Sequence, residues 1–304
     1  MAQIGIMIEG QEGLNWERWR KLCTDVEALG FASLRRSDHL ISLMGPSTGN
    51  RDCIDCWTSL ALAAEWTSRI EFGPMVTPVT FKHAPILARE AAAVDVLSGG
   101  RLILGLGAGW NQPEHDLFQL DLPATQGERF RRLEDAIEEI GHAWEISHPQ
   151  PVREGRVPLL IGGKGVKRTV PLAARHAAEW NVSTLTSPED YREAARIVDG
   201  ACREAGRDPA SLKRSVMGTV LTGRDAGEIR DRAPALAEIV PRLREFAPEE
   251  VASKVPFGGT PEEIAAKMRP YIEAGVELFM FQHFLLDDTD HLRVIAEELA
   301  PQLA

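Results

Sequence analysis

Cysteine is scarce in this chain, and positive charge is outnumbered. Only Cys23, Cys53, Cys56 and Cys202 occur in 304 residues, too few for a disulfide-stapled secreted scaffold and in keeping with a reducing compartment. Asp and Glu number 45 against 34 Lys and Arg, a formal charge of −11. No basic stripe offsets that charge, which argues against a nucleic-acid partner. No apolar run approaches the ~18 residues of a membrane span, so no membrane partner is expected either. The opening MAQIGIMIEG has no basic segment and no small-residue cleavage site; no secretory signal is expected, and the cytoplasm is the expected location. Cys53-Ile-Asp-Cys56 has no second CxxC and no HxxxH pair to complete a metal site, so no metal is expected and both cysteines read as ordinary thiols.

What the sequence has is glycine in informative places. In Ser98–His115, SGGRLILGLGAGWNQPEH, the run Arg101–Leu106 is too short and too apolar for an amphipathic helix and reads as a strand buried on both faces. Gly105, Gly107 and Gly109 remove side chains where that strand ends, so a ligand or another backbone can come close. Trp110, Asn111, Glu114 and His115 then bring an aromatic plate and polar groups to the same end. Strand readings also fall at Gln3–Ile8, Phe31–Arg35, Ile70–Val76, Val157–Ile161, Ala178–Val182, Ser215–Leu221 and Glu277–Gln282. Helical patterns separate them: Trp16–Leu29, Cys56–Glu65, Pro85–Leu97, Ala124–Trp144, Val166–His176, Tyr191–Ala205, Ile264–Ala274 and a closing His291–Leu299. An irregular loop, Ile41–Asp52, follows the second strand. Eight strand–helix alternations without a break in composition predict an α/β fold, a closed (β/α)8 TIM barrel spanning residues 1–304 as one domain. An acidic helical insert is expected at about 224–256, between the seventh and eighth strands.

Three motifs sit at predicted carboxyl ends of strands, where such barrels carry their chemistry. Ser37-Asp38-His39 offers an acid/base pair, His39 having a near-neutral pKa. Gly162-Gly163-Lys164-Gly165 runs from a buried strand into a helix, so its free N–H groups suit a phosphate. Gly73-Pro74-Met75-Val76-Thr77-Pro78 holds two prolines that break strand pairing and force an unusual path. GLGAGW could pass for a dinucleotide fingerprint, but it lies on the fourth strand and opens onto Trp-Asn-Gln-Pro rather than directly into a helix.

Together RRSDHL, TSRIEFGPMVTPVTFKH, DVLSGGRLILGLGAGWNQPEH, ERFRRLEDAIEEI and IGGKGVKRTVPLAARHAAEWNVS resemble the bacterial luciferase-like family, in its short flavin- or deazaflavin-using branch. The resemblance implies a TIM barrel holding a planar redox ring in its mouth. It implies a non-proline cis peptide at Met75–Val76 supporting the ring, with Gly107 and Asn111 nearby. It places the cofactor phosphate at Gly162, Gly163, Lys164 and Gly165, with Asn181 and Ser183 beside it, and makes Asp38 and His39 catalytic. A chain near 300 residues without a large barrel insertion resembles the deazaflavin users. Coenzyme F420 and hydride transfer to or from a small organic substrate are therefore expected. The alternative is FMN, with insertion of one oxygen atom from O2. The resemblance further implies a homodimer. One departure stands out: sugar-phosphate dehydrogenases of the family carry a glutamate just after the strand-four glycines, where this chain has Trp110.

Overall fold

The computed structural model describes residues 2–45, 51–184 and 186–303; Pro46, Gly49 and Asn50 of the expected loop lie outside them. Strand and helix alternate. β1 (Gln3–Ile8) leads to α1 (Trp16–Ala28), β2 (Ser33–Arg36) to α2 (Cys56–Trp66), and β3 (Glu71–Pro74) with β4 (Thr77–Pro78) to α3 (Ala84–Leu97). β5 (Leu104–Gly107) is followed by a short α4 (Gln112–Leu117) and the long α5 (Gln126–Ile146). β6 (Leu159–Gly162) precedes α6 (Thr169–His176), and β7 (Glu179–Ser183) precedes α7 (Pro188–Glu204). After β8 (Lys213–Thr222) come α8 (Ala226–Ile239), α9 (Pro248–Val251) and β9 (Phe257–Gly259), then α10 (Pro261–Glu273), β10 (Leu278–Gln282) and α11 (Thr289–Val294).

Side-chain caps set the helix starts. Asn15, Asp55 and Ser187 each accept the amide three residues on, and Thr125 and Thr260 form reciprocal capping boxes with Glu128 and Glu263. Asp55 explains the CxxC: Cys56 is simply the first residue of α2, and both Cys53 and Cys56 are free thiols.

The strands pair in parallel in the order β3-β2-β1-β10-β8-β7-β6-β5-β4, with β9 attached to the outer end of β8. β3 and β4 are two pieces of one stave, the first bonded to β2 and the second to β5. The ring closes at this stave. Phe72 N–H donates to the Arg101 carbonyl at 3.2 Å, and Ile103 N–H donates to the Phe72 carbonyl at 2.8 Å. The expected eight-stave TIM barrel is the fold observed. The Met75–Val76 peptide between β3 and β4 is cis.

Glycines make the broken stave possible. A Cβ on Gly73 would lie 1.9 Å from the Ile103 carbonyl oxygen, one on Gly105 2.3 Å from that of Pro74, and one on Gly107 2.6 Å from Val76 Cγ2. The two readings of the GLGLG run thus separate: at Gly105 it is another backbone, not a ligand, that comes close.

Register sorts the side chains. Ile4, Ile6, Ile8, Leu34, Phe72, Leu104, Leu106, Trp180 and Val216 join the helices in the main apolar cluster. Met7, Met75, Ile103, Leu160, Leu278 and Met280 form a smaller cluster of their own inside the barrel. Below the mouth the interior also holds a buried ion pair. Arg35 donates to both Glu179 oxygens at 2.8 and 2.6 Å, and Ser215 Oγ donates to the same carboxylate. Burial alone raises the Glu179 carboxyl, but the charge and hydrogen bonds of Arg35 outweigh it and hold the group below its ordinary value.

Differences from expectation are local. The helix expected from Val166 starts at Thr169 after a turn, because Arg168 N–H and Val170 N–H both go back to the Gly165 carbonyl. The segment read as a polar loop after Trp110 contains α4, opened by Pro113 in its first turn. Between β8 and α10, α8 and α9 carry a separate apolar cluster of Leu221, Ile229, Leu236, Val251, Phe284 and Leu285, so the insert packs on the end of β8 and on the segment after β10.

Two stability outcomes follow from this packing. Glu179→Gln leaves the Arg35 guanidinium buried without a counter-charge, and urea unfolding should show a loss of about 3–5 kcal/mol; a loss below about 1 kcal/mol would contradict the pair's role. Gly105→Ala should lower the melting temperature, whereas Gly200→Ala in α7, where no atom lies within 4 Å of the new methyl, should raise stability by up to about 1 kcal/mol.

Candidate active site

The staves deliver their last residues to one rim. Parallel pairing sets Gly105 opposite Leu160 and Leu106 opposite Ile161, so Gly107 and Gly162 follow as neighbours at the top of β5 and β6. A Cβ on Gly162 would meet only the Asn181 carbonyl, at 3.7 Å. On this side of the mouth Gly162 adds no side chain, and Val76 packs over Gly107. Across the ring the rim is polar: Gln282 donates to Glu9 at 2.7 Å and Gln11 to the other Glu9 oxygen at 3.0 Å.

His39 follows β2 at this rim. Its Nδ1 lies 3.0 and 3.2 Å from the two Glu114 oxygens, and the Leu40 N–H donates to the same carboxylate at 3.1 Å. Its ring meets Trp110 edge-on, centroids 5.7 Å apart. Among the described residues its Nε2 has no hydrogen-bond partner. A carboxylate orients one ring nitrogen, and the other is left for a ligand, as an acid/base histidine requires. Burial pulls the imidazolium down, but the Glu114 hydrogen bond and the charges of Glu114, Glu9 and Asp38 outweigh it and raise His39 above 6.5.

Asp38 does something else. It does not touch His39; it accepts the Thr77 hydroxyl at 2.6 Å, and Trp57 Nε1 donates to that Thr77 oxygen at 3.2 Å. Asp38 thus ties β4 to the end of β2 and holds the broken stave in place. Burial raises its carboxyl above the ordinary value, against the Thr77 hydrogen bond and the charges of Arg36 and Lys82. The expected Asp38–His39 pair is replaced by a Glu114–His39 pair and an Asp38–Thr77 clamp. His115, another polar group of the rim segment, is buried between the Asn111 carbonyl and Thr80 Oγ1, at 2.7 Å from each, and serves the fold.

The remaining expected residues fall around the floor. Met75 is buried in the inner cluster and Val76 packs partly buried against it. Asn181 is buried and donates to Ser215 Oγ at 2.8 Å; Ser183 ends β7, partly exposed, opposite Met217. Gly163 has φ +119 and is fixed by its N–H to the Asn181 carbonyl and its carbonyl to Trp180 Nε1, both 2.8 Å. Beyond it, the amides of residues 164–167 donate to no acceptor among the described residues. Lys164, Lys167 and Arg168 are exposed around them. Unpaired amides with cations at their edge are an arrangement that suits an anion.

The sequence matches the luciferase-like monooxygenase family over residues 2–278. The chain belongs to that family. It is 27% identical to the F420-dependent glucose-6-phosphate dehydrogenase of Microbacterium testaceum, over 91% of this chain and 90% of that one. It is 30% identical to an uncharacterized Mycobacterium tuberculosis protein over 51% of this chain, a match that spans 58% of that relative's length. Among solved structures, an F420-dependent secondary alcohol dehydrogenase with an F420–acetone adduct superposes on this luciferase-like chain with a TM-score of 0.81 at 17% identity, covering 100% and 99% of the two chains. The oxygenating constituent of 3,6-diketocamphane monooxygenase from Pseudomonas putida, with FMN, gives 0.77 at 16% identity and 99% of each chain. Among the described residues no helix is long and apolar enough to cross a membrane.

Because Glu114 keeps His39 protonated to higher pH, Glu114→Gln should lower the His39 pKa. Ring-proton NMR of the two proteins checks this: the imidazolium signal should vanish above pH 6.5 in the native protein and at a lower pH in the variant. Coincident titrations would contradict the pairing.

Proposed function

We propose that the protein is an F420-dependent oxidoreductase that moves a hydride between the coenzyme and a small organic substrate. The observation that carries this reading is His39 at the barrel mouth, oriented by Glu114 through Nδ1 and, among the described residues, unpartnered at Nε2. The floor fits a flat ring: Gly162 leaves its part of the rim uncovered, and the Val76 side chain over Gly107 offers an apolar surface, with Met75 behind it. The seat at Gly162, Gly163, Lys164 and Gly165 fits a phosphate, with Asn181 and Ser183 alongside. When bound, the deazaflavin supplies two-electron hydride chemistry. The protein's own part is to position and to handle the proton. His39 donates a proton from Nε2 to the substrate oxygen, or takes one in the reverse direction, while Glu114 stabilises the imidazolium. Asp38 and Thr77 keep the stave under the ring fixed. The full-length likeness to an F420-dependent relative supports the coenzyme, and the family resemblance supports a homodimer in the cytoplasm.

A second reading, an FMN-dependent monooxygenase, is favoured by the family description and by the FMN-bound Pseudomonas putida structure. Titrating the protein with each cofactor and following ring fluorescence separates the two. Coenzyme F420 should saturate at the lower concentration; tighter FMN binding would move the assignment to the oxygenase. His39→Ala should slow turnover about 100-fold or more with coenzyme affinity unchanged, and a native rate would remove His39 from the chemistry. Gly163→Val should weaken coenzyme binding, since φ +119 disfavours any side chain there; unchanged binding would displace the phosphate seat.

A further inference from the structure

A cavity beside His39 bears on the substrate, and its reading rests on the oxidoreductase function above. Its volume is about 590 Å³, within the range of small-molecule sites. Leu40, Ile41, Leu43, Trp110 and Pro113 give it apolar walls. It shares Trp110 with the His39 ring, and the amide of its Leu40 is held by Glu114. Cavity and acid/base pair are therefore adjoining parts of one site.

The polar groups of the lining are the informative ones. Gln11 is used up by Ser37 and Glu9. Arg51 is the one charged side chain among the described lining residues. Its guanidinium lies 3.9 Å from the buried Glu12 carboxylate and donates to the Glu238 carbonyl at 3.3 Å. The cavity thus has no unbalanced charge. Asn111 differs: it is 8% exposed, and its carboxamide neither caps α4 nor bonds to any described residue. Its carboxamide atoms are not sealed in the core but open to the cavity, so a ligand there can take their hydrogen bonds in place of water. Asn111 lines this cavity.

We propose that this cavity takes an uncharged organic compound with an apolar body and one carbonyl or hydroxyl oxygen, that oxygen hydrogen-bonded by the Asn111 carboxamide. A phosphorylated sugar is rejected, because its dianion would be desolvated against apolar walls with the nearby cation already neutralised. Interconverting a carbinol and a carbonyl moves one hydride at carbon and one proton at oxygen. The proton is what His39 handles, and the hydride is what the proposed coenzyme class carries, so electrons and atoms balance.

Calorimetric titration with cyclohexanone and with glucose 6-phosphate, on protein with and without coenzyme, tests this. Cyclohexanone should bind saturably to the coenzyme-loaded protein, and the sugar phosphate should give no heat over the same range. Asn111→Ala should weaken ketone binding about fivefold, and Ile41→Asp, which puts a charge in the wall, about tenfold or more, with coenzyme affinity unchanged in both. Tighter binding of the sugar phosphate, no ketone binding in either state, or native ketone affinity in both variants would overturn the proposal. So would a loss of coenzyme affinity in Asn111→Ala, which assigns that side chain to the coenzyme. Coenzyme titration of the same samples keeps the two readings apart. If neither F420 nor FMN binds, the oxidoreductase reading fails; if coenzyme binds and the ketone does not, only the substrate reading fails.

Discussion

The structure depends on one close approach, the third stave of the barrel pressed against the fourth. Between Pro74 and Thr77 the stave leaves β2 and joins β5, and the ring closes only because Gly73 and Gly105 present no Cβ where the two backbones meet, and Gly107 none where the Val76 side chain packs. Closing the barrel is thus a constraint on sequence at these three positions. The clamp of Asp38 on Thr77, reinforced by Trp57, keeps that stave from shifting.

Charge at the rim is organised around one histidine. Glu114 accepts from the Leu40 amide and faces the imidazole, so its carboxylate is held by fixed partners rather than by water. A proton can then rest on His39 at higher pH than on a free imidazole while Nε2 stays available. Opposite, the glycine loop after β6 offers unpaired amides and exposed lysines, groups that suit an anion. His39 and this loop stand on different staves, and the barrel fixes the distance between them.

Much of this was legible in the sequence. The strand–helix alternation and cap residues such as Ser187 and Thr260 marked the elements, and the glycine runs marked the rim. The cis peptide fell at the residues the family resemblance indicated. Three things were not legible. Glu114 sits in the same WNQPEH segment as other candidates, but only α4, a six-residue helix, turns it toward His39, and so short a helix leaves no periodic signal. Adjacency in sequence made Asp38 and His39 look like a pair. Consecutive residues leaving a strand face opposite ways, which is why one meets Thr77 and the other Glu114. The start of α6 was misplaced for a similar reason: the turn closing on Gly165 is set by backbone bonds rather than by apolar spacing.

The most direct test of the account is a crystal structure of the protein with coenzyme F420 bound. The account predicts the ring on the floor formed by Gly107 and Val76, within reach of His39 Nε2, and the phosphate on the amides that follow Gly163. A ring outside the mouth, or a phosphate seated elsewhere than beyond β6, would contradict it.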